Sequence, residues 1–243
     1  MRFGIIGYGR FGRLWADILS VQGEVFVYDK NITEEQHGGS INLVSLKEVV
    51  ETDILFLLVP ISEIESVCQE ISSLLNPNTI VVDSASVKVH PATVMQKHLS
   101  EDQSIIATHP LFGPDSVKRS GLKGKKIVVD PVRATTEQKE LLESIFKKME
   151  IKIIKATAEE HDKQMANSQA LVHFLGRALA NLNLKNQEIS TPDYQSLLQI
   201  NDLVENDTWQ LFVDMQKYNP YAGDVRESLV NELKKIEEKI IQA

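Results

Sequence analysis

Gly7-Tyr8-Gly9-Arg10-Phe11-Gly12 follows the apolar run Phe3-Gly4-Ile5-Ile6 and precedes Leu14 to Leu19, which reads as a helix. A glycine-rich turn between a strand and a helix has a specific use. The first glycine permits a tight turn, the second lets the main chain approach a pyrophosphate, and the third lets helix and strand pack closely. The free N–H groups at the start of the helix favour an anion there. The six-residue pattern alone is weak, so its surroundings carry the reading. Glu24 to Tyr28 is a second strand, and Asp29 ends it, 22 residues after Gly7. A carboxylate at about that distance accepts hydrogen bonds from an adenosine ribose. It repels a 2′-phosphate, so the pattern favours NAD over NADP, with Lys30 partly offsetting the repulsion. The alternative is that the glycines are plain turn residues and Asp29 a solvated strand end. That makes the register of strand, loop, helix, strand and acid a coincidence.

Outward from this unit, strands and helices keep alternating. Ile54 to Val59 is a continuous apolar run, the pattern of a parallel strand buried on both faces. Leu46 to Val50 and Ile64 to Leu75 are helical. Thr79–Val82, Ile105–Thr108, Lys126–Val129 and Glu150–Ile154 are further strands, and Thr136 to Met149 is a helix. Residues 1–155 therefore predict a Rossmann-type α/β domain, a doubly wound parallel sheet with its ligand edge at the carboxyl ends of the strands. Beyond it, Glu159–Leu184, Tyr194–Val204, Asn206–Tyr218 and Ala222–Ile241 read as helices. Residues 156–243 predict a smaller all-helical C-terminal domain, expected to pack on the first domain, on a second copy of itself as a homodimer, or on both.

The formal net charge is −8, which argues against nucleic acid as a partner, because that requires a basic face. Cys68 is the single cysteine, so neither an internal disulfide nor a thiolate metal cluster is expected, and no metal site is assigned. No run approaches the ~18 apolar residues of a membrane span. The first residues lack the features of a secretory signal, and the expectation is a cytoplasmic protein acting on a small molecule.

Two segments after strands bear on chemistry. Thr108-His109-Pro110-Leu111-Phe112-Gly113-Pro114-Asp115 holds a histidine in a stretch stiffened by prolines. A neutral imidazole there can take a proton from a hydroxyl while a hydride leaves the same carbon. Taken alone, a loop histidine is more often structural. Asp83-Ser84-Ala85-Ser86-Val87-Lys88 follows another strand. Ser86 either bonds substrate or His109, or simply caps a helix start. Asp83, Ser84, Val59 and Pro60 stand where a nicotinamide ribose would be contacted. His173 and Arg177, spaced i,i+4, share one helix face.

Taken together, Gly7–Gly12, Ser86-Val87-Lys88, Thr108–Asp115, Glu159-Glu160-His161-Asp162, Ser168-Gln169 and His173–Arg177 resemble the prephenate/arogenate dehydrogenase family, in order along nearly the whole chain. The resemblance implies an NAD-dependent oxidative decarboxylation in tyrosine biosynthesis. His109 corresponds to the family's catalytic histidine and Ser86 to the serine that orients it. His173 corresponds to a second active-site histidine from the helical domain, which implies a site built from both domains. Gly7, Tyr8, Gly9, Arg10, Phe11, Gly12, Asp29, Val59, Pro60 and Ser84 are the expected cofactor contacts. Ser86, His109, His173 and Arg177 are the expected substrate contacts.

The chain departs from the family at one point. No arginine lies between Arg177 and Arg226, where the family anchors a substrate carboxylate; Gln195, Gln199, Ile200, Asn201 and Leu203 stand there instead. A bidentate guanidinium contact is hard to replace with amides. Arg177 takes the role, or Arg226 or Lys217 does, or the substrate is the zwitterionic arogenate. Two other functions compete: a non-catalytic NAD(H)-binding sensor, and a related oxidoreductase acting on a different small acid.

Overall fold

The computed structural model describes residues 1–32 and 41–243, and within 201–205 the backbone alone. It divides into two compact units, Met1–Ala158 and Glu159–Ala243.

In the first unit, eight strands form one sheet: β1 (Arg2–Ile6), β2 (Glu24–Tyr28), β3 (Ile41–Leu43), β4 (Ile54–Leu57), β5 (Ile80–Asp83), β6 (Ser104–Pro110), β7 (Lys126–Arg133) and β8 (Lys152–Lys155). Their spatial order is β3-β2-β1-β4-β5-β6-β7-β8. The order reverses between β1 and β4, and such a switch point is where an open α/β sheet binds its ligand. The helices of this unit are α1 (Arg10–Ser20), α2 (Leu46–Val49), α3 (Ile64–Ile71), α4 (Val89–His98), α5 (Pro114–Ser120) and α6 (Thr136–Lys148).

Burial on both faces explains the unbroken apolar strands. Along β4, Ile54 and Phe56 join one core with Phe3, Ile5, Trp15 and Phe146. Leu55 and Leu57 join the other, with Ile64, Cys68 and Met95. Period-two alternation thus splits one hydrophobic run between two helical layers.

The sheet is not wholly parallel. β7 runs antiparallel to β6 and parallel to β8. After β6 the chain passes through α5, and the Leu111 N–H donates to the Lys126 carbonyl at 2.9 Å, closing the return as in a hairpin. β6 also extends two residues further than the apolar run suggests, so His109 lies inside a strand, opposite Val128, and not in a loop. Strand β3 and helices α4 and α5 have no counterpart in the sequence reading. Helix α4 carries Pro91 in its first turn, where proline is tolerated, and its buried face consists of Pro91, Ala92, Val94 and Met95.

The second unit contains α8 (Leu171–Asn181), α9 (Pro192–Glu205), α10 (Trp209–Tyr218) and α11 (Ala222–Gln242), preceded by α7 (Ala158–Met165). The single helix expected over Glu159–Leu184 is broken by a π-helical turn at Ala166–Ala170. One residue more per turn rotates the faces on either side, a feature frequent at functional sites. The Gln216 Nε2 donates to the Ala170 carbonyl at 2.7 Å, and the Asn219 Nδ2 to the Asp162 carbonyl at 2.9 Å. These two bonds tie the end of α10 and the residue after it to the broken helix.

Candidate active site

The glycine turn adopts the geometry its sequence requires. Gly7 has φ of 102°, a left-handed conformation that favours glycine. A Cβ at Gly12 would stand 2.2 Å from the Gly7 carbonyl oxygen, so any side chain there pushes α1 off the turn. A Cβ at Gly9 would meet nothing within 4 Å. That space is open towards a cleft of about 240 Å³ whose walls include Gly7, Gly9, Asp29, Val59, Pro60 and Glu63. An adenosine diphosphate moiety fits this chemistry: open main chain at a helix N-terminus beside a carboxylate.

Asp29 is already organised. Its Oδ2 accepts from the Tyr8 N–H at 2.7 Å and its Oδ1 from the Asn31 N–H at 2.8 Å. The carboxylate therefore holds the glycine turn against the end of β2. Other residues of the motif face elsewhere. Tyr8 is buried in the core, and Phe11 stacks on Trp15 with ring centroids 5.5 Å apart. These two rings thus pack on the core, which leaves the main chain of both residues to make the cofactor contacts expected of them. Arg10 forms an ion pair at 2.9 Å with Asp115, which bridges the glycine turn to the segment that follows His109.

His109 lies near the carboxyl end of β6, with 4% of its surface exposed. Strands β1, β4, β5 and β6 run in one direction, so this end shares the sheet edge that carries the glycine turn. At Thr108, next to His109, lies a polar cluster. The Lys88 ammonium pairs with the Asp83 carboxylate, both side chains wholly buried. The same ammonium donates to the Thr108 carbonyl at 2.6 Å. The Thr108 hydroxyl donates to the Asp83 carbonyl at 2.6 Å and lies 3.1 Å from the Ser84 hydroxyl. Asp83 and Ser84 thus brace β5 against β6. Ser86 is half-buried in the same turn. The bracing role of Lys88 was missed from the sequence. An Asp at a strand end and a Lys five residues on was the available signal, but the strand that both would grip lies some twenty residues away.

In the helical unit, His173 and Arg177 sit on α8. His173 Nδ1 lies 3.6 Å from Asp207 Oδ2, too far for a good hydrogen bond. Burial, together with the Arg177 charge, pushes the His173 pKa down against the opposing pull of Asp207, which favours a neutral ring. The Arg177 Nη2 donates to the Asp207 carbonyl. Its guanidinium stands 5.9 Å from the Trp209 ring centre and 5.8 Å from that of Phe212. His173 Nδ1 and Arg177 Nε are both buried without a hydrogen-bond partner, a costly state unless something else meets them. The other candidate anchors are engaged: Arg226 Nη1 donates to Gln216 Oε1 at 2.7 Å, and the Lys217 ammonium lies over the Tyr218 ring. The side chains of Asn201 and Leu203 lie outside the described residues. Cys68 is buried, and burial with the nearby Asp83 and Glu65 charges pushes its thiol up to about 12, so it is no nucleophile. Among the described residues no cluster of metal ligands occurs, and no helix is long and apolar enough to cross a membrane.

Fold and site together define a Rossmann-type nucleotide-binding chain with an appended helical unit. Comparison with known proteins narrows this. The family described as prephenate dehydrogenase, nucleotide-binding domain, matches residues 19–155, more than half the chain. A second, described as TYRAAT1-like, C-terminal domain, matches residues 178–243. Arogenate dehydrogenases 1 and 2 of Arabidopsis thaliana, both chloroplastic, are each 31% identical over 94% of this chain, covering 38% and 67% of their own lengths. The chain thus spans between about two fifths and two thirds of these relatives. The crystal structure of Aquifex aeolicus prephenate dehydrogenase, in complex with hydroxyphenyl propionate and NAD+, superposes with a TM-score of 0.78 at 19% identity, covering 100% of this chain and 91% of that one. The chain belongs to the prephenate/arogenate dehydrogenase family.

Proposed function

We propose that the protein catalyses the NAD-dependent oxidative decarboxylation of prephenate to 4-hydroxyphenylpyruvate, or of arogenate to tyrosine. One observation carries the reading: His109, in the segment most specific to the family, stands at the sheet edge that also bears the glycine turn and Asp29. The bound cofactor supplies the hydride acceptor. His109 accepts the proton of the substrate's 4-hydroxyl as the hydride leaves the same ring carbon. The ring carboxylate departs as CO₂, and its bonding electrons complete an aromatic ring. Ser86 orients the substrate or the imidazole. Gly7, Gly9, Asp29, Val59 and Pro60 hold the dinucleotide.

His173 and Arg177 are proposed substrate contacts, supported by the two buried nitrogens that lack partners. Both Arabidopsis relatives are named arogenate dehydrogenases, which makes arogenate the first substrate to assay. A homodimer through the helical unit is supported by α11, which exposes Leu233, Ile236 and Ile240 at three- and four-residue spacing. A single buried cysteine suits the reducing cytoplasm.

The test is NADH formation with prephenate and with arogenate, each with NAD+ and NADP+. His109→Asn is expected to lose at least about a hundredfold in turnover, the contribution of a positioned base, while still binding NAD+. Unchanged turnover in that variant refutes the assignment. NAD+ binding with no turnover of either substrate by the wild type favours the sensor reading instead.

A further inference from the structure

The ribose end of the cleft holds a charge arrangement that the proposed mechanism does not use. Lys30 directly follows Asp29 and lines the cleft, together with Glu63 and Glu70. It is the only Lys or Arg between Asp29 and Lys47. Chemistry alone makes it the residue to attract a 2′-phosphate, which is the difference between NADP and NAD. Yet its ammonium is taken: Lys30 Nζ donates to Glu63 Oε2 at 2.7 Å. Glu63 is placed for this by the 3₁₀ turn Ile61–Glu63 that follows Pro60, at the end of β4 across the switch point from β2. The Lys30 pKa is raised, first by the Glu63 bond and charge and further by Asp29 and Glu70. Among the described residues, one cation therefore faces three carboxylates.

We propose that Glu63 is a specificity-determining residue that excludes a 2′-phosphorylated dinucleotide by holding Lys30 in an ion pair across the ribose end of the cleft. The inference rests on the reading of this cleft as the dinucleotide site. Asp29 alone disfavours the 2′-phosphate, but a neighbouring lysine could swing to neutralise that phosphate. Glu63 removes the option by pairing with the ammonium. As a surface ion pair it contributes little to stability. Its effect falls on the field that an incoming dianionic phosphate meets.

The experiment is direct binding of NAD+ and of NADP+ by isothermal titration calorimetry, with circular dichroism confirming that each variant folds. The readout is the ratio of the two dissociation constants. Glu63→Gln is expected to shift the ratio towards NADP+ by about three- to fivefold, the size of one exposed charge contact. The shift should shrink in ~0.5 M salt, where the Debye length falls to a few ångströms. In the double variant Lys30→Met, Glu63→Gln the gain should vanish, because the lysine that was released is gone. An unchanged ratio in Glu63→Gln overturns the proposal. So does a double variant that keeps the full gain, since that would reduce Glu63 to simple repulsion. A wild type that binds neither dinucleotide overturns the cofactor reading itself, a result distinct from a wild type that binds NAD+ with a ratio insensitive to Glu63.

Discussion

Replacing Lys88 by methionine tests the polar cluster around Asp83 and Thr108. The two side chains are similar in length, so the change removes a charge and three donors more than it removes volume. Lys88 and Asp83 are both wholly buried. In the wild type the carboxylate has the ammonium and the Ala85 N–H, at 2.9 Å, and the Thr108 carbonyl has the ammonium. Without the lysine, a buried carboxylate loses its counter-charge and a buried carbonyl loses a donor. Breaking such a pair from one side costs about 3–5 kcal/mol. For a chain of this size that corresponds to a fall in Tm of roughly 6–20 °C, at ~2–4 °C per kcal/mol. The assay is urea unfolding followed by circular dichroism, with thermal melting alongside. Asp83→Asn added to Lys88→Met should recover part of the loss, because the uncompensated charge is then gone. A loss below about 1 kcal/mol in the single variant would refute the reasoning. A double variant no more stable than the single one would refute it too, since the penalty would then not be electrostatic.

Gly12→Ala should weaken NAD+ binding by at least about tenfold and lower Tm, because its Cβ would stand 2.2 Å from the Gly7 carbonyl and displace the helix N-terminus from the turn; calorimetry and thermal melting read both, and unaltered affinity would remove Gly12 from the cofactor turn. If the proposed homodimer forms through the stripe that α11 exposes, Ile236→Glu should sediment as a monomer while leaving the far-ultraviolet circular dichroism unchanged; a wild type that is itself monomeric, or a variant that sediments as the wild type does, would refute that interface.

Much of the first unit was legible because its signals are local. A strand, three glycines, a helix and an acid at the end of the next strand lie within the first 29 residues, and each is dictated by backbone geometry or by what a phosphate needs. The alternating burial of β4 follows from side-chain direction alone. The helical unit was legible as helices but not in detail. A π turn at Ala166–Ala170 has no periodic signature over five residues, and its faces become defined only when Gln216 and Asn219 meet it from the end of α10.

What the sequence by itself determined was the nucleotide-binding class, the dinucleotide turn and the histidine that the family motif carries, because short-range spacing encodes all three. The tertiary structure decided which charges meet. Arg10 and Asp115 stand 105 residues apart and pair only because α5 follows β6 at the same sheet edge. Lys88 grips Thr108, and Lys30 meets Glu63, because β5 lies beside β6 and β4 lies across the switch point from β2. The order of strands in a sheet is a property of the packed chain, so pairings across it do not appear in any local pattern.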